Sequence, residues 1–303
     1  MTMKSLLDRS SASLSAPEGS LLVEARGSGS GPQPVDALQL IRRLERLAAD
    51  AKGPAALVFD ADGTLWAGDV GSDTFTQAFT ERLLREDARS ALLAEVEAHG
   101  LGADLELQGA RPEDADANLL AQEIQRAFDE GRYSERATSE LQVWAYAGWT
   151  EGELREHTRR TLKRRRHLSQ IRHTLLPVIL WAREARLRAV IVSASPQIVV
   201  EEAARDLGFG PEDIVAGRGQ AADGVLLPAL AGSLPYGPDK VRAGKRLLGN
   251  VAWLAAFGDS DFDAEMLSES KLPVLVRPRP ALLERLGQLP RAVLFMDAPP
   301  QEP

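Results

Sequence analysis

The chain has no cysteine among its 303 residues. Disulfides, thiolate metal sites and cysteine nucleophiles are therefore excluded. Aromatic residues are scarce, at 5%. No apolar run approaches the roughly 20 residues of a membrane span, and the N-terminus lacks the apolar core of a secretory signal. Positive charge is in deficit: 36 Lys and Arg against 44 Asp and Glu leave a net charge of -8. Such a chain has no global attraction to nucleic acid or to an anionic membrane, so neither is expected as a partner. A cytoplasmic location is expected, with the oligomeric state open. Hydrophobic content of 44% and charged content of 26% suit an ordinary globular protein, and the length suggests about two domains.

What is there begins with a tail. Residues 1–35 are rich in Ser, Gly and Pro, a composition that cannot bury enough apolar surface to fold alone. A helical pattern starts near Val35, with Leu38, Ile41, Leu44 and Leu47 on its apolar face. Between Ser72 and Leu168 the periodicity is helical throughout. One long stretch runs from Thr74 to Glu97, a loop spans Gly100 to Pro112, and helices follow over Ala115 to Glu130 and Ser134 to Tyr146. Thr150 and Glu153 form a capping box that opens a helix ending in the basic run Arg159 to Arg166. That run reads either as a nucleic-acid patch or as a solvated helix end whose cations the helix dipole favours.

Elsewhere short apolar runs alternate with helices. Ala55–Phe59, Ala189–Val192, Ala255–Phe257, Val274–Val276 and Ala292–Phe295 read as buried strands. Ile214–Gly217 and Gly224–Leu227 read as short strands, paired as a hairpin. Pro196 is expected at the first turn of the next helix, and the end from Ala298 is expected to be loose. The alternation predicts an α/β fold: a Rossmann-like parallel sheet flanked by helices, with a helical block inserted after its first strand. The expected division is a tail at 1–35, a core from 36–71 and 169–303, and a helical cap at 72–168.

Four stretches carry chemistry. The first is Leu57 to Trp66, where a buried strand ends in Asp60 and Asp62 on either side of one alanine. In open α/β sheets, chemistry gathers at the carboxyl ends of the strands. Two acids this close are costly unless a cation lies between them or one holds a proton; the bland alternative is an Asp-rich turn with a helix cap. The second is Ser193, after Val190-Ile191-Val192, a hydroxyl at a strand tip or simply a turn residue. The third is Lys240 in Gly237-Pro238-Asp239-Lys240, with Lys245 as its competitor and an exposed helix lysine as the plain alternative for either. The fourth is Gly258-Asp259-Ser260-Asp261-Phe262-Asp263, where Asp259 follows a buried strand as Asp60 does. Asp60 and Asp259 are expected to converge at one sheet edge, a set of hard oxygen ligands suited to Mg²⁺. Asp261 reads as a helix cap.

In this order the four stretches resemble the motifs of the haloacid dehalogenase (HAD) superfamily, in its phosphoserine phosphatase-like branch, over about residues 55–295. The resemblance implies a Mg²⁺-dependent phosphatase acting on a small phosphorylated metabolite. Asp60 would be the nucleophile that forms an aspartyl-phosphate, and Asp62 the general acid and base. Ser193 and Lys240 would stabilise the transferring group. Mg²⁺ would be held by Asp60, Asp259 and the backbone carbonyl of Asp62, with Asp263 supporting its waters or holding Lys240. The helical insert stands where the superfamily places its cap. Asp69 stands where the branch has an acid that contacts a substrate amine, or else caps a helix. Trp66, Trp144, Tyr146 and Trp149 form either an aromatic surface suited to a phosphocholine-like substrate or cap core. Arg132 and Arg136 are candidate carboxylate or phosphate contacts, or else surface residues. A phosphotransferase or mutase, and a non-catalytic phosphate-binding regulatory protein, are the competing functions.

Overall fold

The computed structural model describes residues 31–103 and 111–297. The tail before them, most of the Gly100–Pro112 loop and the end from Ala298 lie outside the described residues. Strand β2 (Ala55–Phe59) has every residue buried, which accounts for its unbroken apolar run. It sits inside a seven-stranded sheet of order β1-β9-β8-β7-β2-β3-β4, whose paired strands all run parallel. The other strands are β1 (Gln33–Val35), β3 (Arg188–Pro196), β4 (Ile214–Gly217), β7 (Ala252–Gly258), β8 (Leu272–Val276) and β9 (Val293–Phe295). An α/β fold with a parallel sheet is therefore what the chain adopts.

Strand side chains alternate between faces, and that alternation divides the core in two. Ala55, Leu57 and Phe59 join Ile191 and Phe257 in one apolar cluster. Ala56 and Val58 join Val190, Val192 and Ala256 in the other. On the first face Phe59 stacks on Phe257 with ring centroids 4.2 Å apart. Helices α1 (Ala37–Ala49), α7 (Leu176–Glu184) and α8 (Gln197–Ala204) cover that face through Leu40, Leu44, Val178, Ile179 and Val199. The second face is covered by α9 (Pro238–Leu248), α10 (Ala264–Glu269) and α11 (Pro280–Glu284), through Ala243, Met266, Leu267 and Leu282. Full burial of each larger aliphatic side chain contributes roughly 1.5–3 kcal/mol, so both helical layers are held firmly against the sheet.

Between β2 and β3 come α2 (Val70–Thr80), α3 (Glu86–Ala98), α4 (Ala117–Asp129), α5 (Glu135–Trp144) and α6 (Glu151–Arg164). Their buried residues Phe75, Leu92, Leu120, Leu141 and Leu154 continue the first cluster. The Thr150 capping box is formed: Glu153 N–H donates to Thr150 Oγ1 at 3.2 Å and Thr150 N–H to Glu153 Oε2 at 2.7 Å. Three cations of the basic run make ion pairs, Arg159 with Glu202, Arg164 with Glu81 and Arg165 with Asp73. No helix among the described residues is long and apolar enough to cross a membrane.

Several local readings are corrected. Gln33–Val35 is an edge strand paired with β9, so the helix starts two residues past Val35, behind a capping box made by Asp36 and Gln39. On that helix Leu40 is buried and Leu38 is 67% exposed, which turns the apolar face from the expected Leu38 stripe. The long stretch from Thr74 to Glu97 is two helices, broken where Arg82 takes a left-handed φ of 57°. Ile214–Gly217 pairs with β3 in the main sheet. The hairpin joins β5 (Gly219–Ala222) to β6 (Val225–Leu230) instead. Pro196 is the N-cap of α8 rather than its first helical residue.

Candidate active site

Three adjacent strands bring the chemistry together. Phe59 is in register with Phe257 of β7 on one side and with Ile191 of β3 on the other. Asp60 follows Phe59 and extends the ladder, its N–H donating to Phe257 O at 2.9 Å. Asp259 leaves the end of β7 and Ser193 lies within β3, so all three polar residues stand at one carboxyl edge. Strand β3 continues past Val192 to Pro196, with a register shift against β4.

Lys240 enters from the first turn of α9. Gly237, with φ of 53°, precedes that helix and Pro238 opens it, a pairing suited to a sharp helix start. Lys240 Nζ donates to Asp60 Oδ1 and to Asp263 Oδ1, each at 2.6 Å. Asp263 is fully buried. Its Oδ2 accepts from Asp259 N–H at 3.1 Å and from Ser260 N–H and Oγ, each at 3.0 Å. Asp263 thus folds the Gly-Asp-Ser turn and anchors the lysine at once. Lys245, the competitor, is exposed and pairs with Glu269 at 2.8 Å.

The electrostatics are those of crowded acids in a desolvated place. Burial pushes Asp60 up to about 7, helped by Asp263 and opposed by Lys240. Burial likewise pushes Asp259 up to about 8, with Asp60 and Asp263 adding to the rise. Burial alone would lower Lys240, yet Asp263 and Asp60 hold it above the ordinary lysine value. Oxygens of Asp60, Asp259 and Asp263 all lie within 4.8 Å of one another. Asp259 Oδ1 is buried with no hydrogen-bond partner, a costly condition for a carboxylate oxygen. An all-oxygen donor set with one orphaned oxygen fits a hard divalent cation such as Mg²⁺.

Asp62 belongs to a different set. Its Oδ1 accepts from the Trp66 indole N–H and from Val70 N–H, both at 2.8 Å, and its Oδ2 accepts from Ser195 Oγ at 2.6 Å. Its side chain is therefore outside the three-acid cluster; the ligand expected from Asp62 is its backbone carbonyl. Burial, with Asp69 adding to it, pushes Asp62 up to about 7, while those three donors pull it down. Ser193 is buried, and its Oγ accepts from Ser195 N–H at 3.1 Å.

Each of the outer candidates has a structural partner, in line with the second of the two readings given for it. Trp66 has no solvent exposure, and its N–H is taken by Asp62. Trp144, Tyr146 and Trp149 are at most 8% exposed, and Tyr146 and Trp149 pack edge to face at 5.4 Å. These rings pack in the core, the second of the two arrangements expected for them. Asp69 caps α2, accepting from Ser72 N–H at 2.8 Å. Arg136 binds Glu140 at 3.0 Å and lies over the Tyr236 ring at 5.8 Å, and Arg132 binds Glu130. Two residues of the site are not foreseen from the sequence. Ser195 is visible there only as part of the Ser-Ala-Ser-Pro context. Arg279, whose Nε donates to Asp259 Oδ2 at 3.0 Å, has no local signal, standing 20 residues beyond its partner in an Arg-Pro-Arg-Pro segment.

Residues 57–268 match the family of haloacid dehalogenase-like hydrolases. No curated protein matches the chain. Among solved structures, a protein of unknown function from Bordetella pertussis Tohama I is similar at 17% identity and a TM-score of 0.58, over 82% of this chain and 100% of that one. A functionally unknown protein from Anaerococcus prevotii DSM 20548 is similar at 16% identity and a TM-score of 0.56, over 83% of this chain and 90% of that one. A substrate-bound phosphoserine phosphatase shows a weaker likeness, at 14% identity and a TM-score of 0.48, over 82% of this chain and 95% of that one.

Proposed function

Because the chain belongs to the haloacid dehalogenase-like hydrolases, we propose that its site hydrolyses a small-molecule phosphomonoester through an aspartyl-phosphate on Asp60. The observation that carries this reading is the separation of two acids two residues apart. Asp60 lies with Lys240, Asp259 and Asp263. Asp62 lies apart, on Trp66, Val70 and Ser195. Two carboxyls held in different surroundings can take different roles. A displacement at a carbon–halogen centre needs only the first; expulsion of an alkoxide from phosphorus also needs an acid.

In this reading the Asp60 carboxylate attacks phosphorus and the ester P–O bond breaks. The departing alkoxide takes its proton from Asp62. Water then attacks the aspartyl-phosphate and gives its proton to Asp62, which frees inorganic phosphate and restores Asp60. Lys240 offsets repulsion between the nucleophile and a phosphate dianion. Ser193 Oγ already accepts from Ser195 N–H, so its own proton is free for a phosphoryl oxygen. Mg²⁺, held by Asp60, Asp259 and the Asp62 carbonyl with Asp263 behind them, would supply Lewis-acid charge for the transferring group.

The test is a screen of p-nitrophenyl phosphate, phosphoserine, phosphocholine and sugar phosphates with Mg²⁺, reading inorganic phosphate. Release that disappears in Asp60→Asn is expected. Transfer to an added alcohol in place of phosphate release would convert the reading to a phosphotransferase. Phosphate binding with no turnover of any ester would overturn it.

A further inference from the structure

Asp259 presents its two carboxylate oxygens to opposite surroundings. Oδ1 is buried and has no partner. Oδ2 accepts from Arg279 Nε at 3.0 Å, and the Asp259 carbonyl accepts from Arg279 N–H at 2.7 Å. One residue therefore grips Asp259 twice, through the main chain and through the guanidinium. The backbone of Arg279 is itself restrained: it is the N-cap of α11, extended at φ −69° and ψ 155°, with Pro280 at the first helical position and Pro278 before it. A residue before proline is confined to extended geometry, so the grip is built in before any ligand arrives. On its outer side Arg279 Nη1 lies 3.7 Å from Glu135 Oε1, at the start of α5.

We propose that Arg279 is the positioning residue for Asp259: it ties down Oδ2 and the carbonyl so that Oδ1 is the oxygen presented to the divalent ion. The inference rests on the metal reading given under Proposed function, and it adds a part that reading does not contain. Without the guanidinium, the Asp259 carboxylate can rotate about its last torsion, and either oxygen can turn toward Lys240 or toward solvent. Ordering of a ligand by an outer partner typically changes metal affinity by about 10–100-fold. Opposing this is the positive charge of Arg279, which repels a divalent ion. Its side chain is 50% exposed, and solvent screens charge at such a place. Orientation therefore outweighs repulsion, and this balance gives the proposal its sign.

The experiment is Mn²⁺ titration followed by electron paramagnetic resonance, with Mg²⁺ competition, on metal-free wild type, Arg279→Gln and Arg279→Lys. Melting of the metal-free proteins is measured alongside. The expected result is Mn²⁺ affinity weaker by about 10–100-fold in Arg279→Gln, with metal-free melting within a few degrees of wild type. Arg279→Lys keeps the charge and loses the geometry of the fork; it is expected to bind Mn²⁺ more weakly than wild type. Affinity unchanged or tightened in Arg279→Gln would overturn the proposal, because repulsion would then be the larger effect. Where the glutamine variant does not fold, Arg279→Lys decides the matter by the same affinity criterion. Wild type that binds no Mn²⁺ would overturn the metal reading and this proposal together, a result distinct from equal binding by wild type and variants.

Discussion

Trp66 donates its indole N–H to Asp62 Oδ1 at 2.8 Å, from a ring with no solvent exposure. Val70 N–H fills the same oxygen and Ser195 Oγ reaches the other. An oxygen that accepts two N–H bonds has no room for a proton, so Oδ2 is the one that carries it. A proton on Oδ2 can point to a leaving group while Ser195 Oγ donates to the other lone pair of that oxygen. In the proposed reaction these three donors would fix the orientation of the Asp62 carboxyl.

Removing the indole N–H in Trp66→Phe should lower kcat by about tenfold, since a hydrogen bond to a charged group is worth roughly 1.5–3 kcal/mol and some of it is recovered by relaxation. The loss should be greater for an alkyl phosphate, whose leaving group needs a proton, than for p-nitrophenyl phosphate. Ser195→Ala should show the same selectivity for the poor leaving group. Equal losses on both esters, measured as a ratio of kcat values, would count against Asp62 as the acid.

Asp60→Asn should reduce turnover by at least about 10³-fold, as loss of a covalent nucleophile does elsewhere, without unfolding the protein. The amide removes one of three crowded carboxylates, while Lys240 keeps Asp263 at 2.6 Å. Thermal melting at or above the wild-type value, beside absent phosphate release, is the expected pair of results.

How far the residues announce this arrangement varies with the kind of information involved. Asp60 and Asp259 are legible because each follows an uninterrupted apolar run, and such runs give buried strands whose tips share one edge. Lys240 is legible from Gly237-Pro238, which sets a helix start. Strand β1 is not, since three residues at a sheet edge, Gln33–Val35, carry no period. The hairpin signal is present in Asp223-Gly224, both at positive φ, the backbone a tight two-residue turn requires. The strand before that turn is nevertheless misplaced by the sequence pattern, because only Arg218 separates β4 from β5. Trp66 and Arg279 are beyond reach for another reason. Their roles depend on which polar atom each side chain meets across the fold, and composition says nothing of that.

Mg²⁺ should stabilise the fold as well as activate it. The site sets Asp60, Asp259 and Asp263 against one buried lysine, and a ligand that binds only the native state adds about 2.7 kcal/mol at 100 times its Kd. Melting should rise with Mg²⁺ concentration in wild type and should barely move in Asp259→Asn. EDTA should abolish phosphate release, and added Mg²⁺ should restore it.

Acid should destabilise the protein through His167. Its Nε2 donates to Ala203 O at 3.1 Å, and its Nδ1 is buried with no partner. Burial lowers its pKa below the ordinary 6.5, so the native ring stays neutral where the unfolded ring is charged. The stability it contributes is full above about pH 6.5 and is lost as pH falls below that, at up to about 1.4 kcal/mol per pH unit. Chemical denaturation at pH 7.5 and 5.5 should show a smaller acid loss in His167→Gln than in wild type.

Gly63 packs against Asp259, a ligand of the proposed metal site. Its φ is 79°, in the left-handed region that costs an L-residue roughly 1–2 kcal/mol. A Cβ there would lie 2.3 Å from Asp259 Oδ2, the oxygen already held by Arg279, so the carboxylate cannot simply turn aside. Gly63→Ala should therefore lower both melting temperature and kcat, and raise the Mg²⁺ concentration needed for half-maximal activity. Gly224 separates the two causes. Its φ is 78°, but a Cβ added there meets nothing within 4 Å. Gly224→Ala should carry the backbone strain alone, with a comparable melting shift and an unchanged Mg²⁺ requirement. If both variants shift the Mg²⁺ requirement equally, the contact between Gly63 and Asp259 is not what holds that ligand in place.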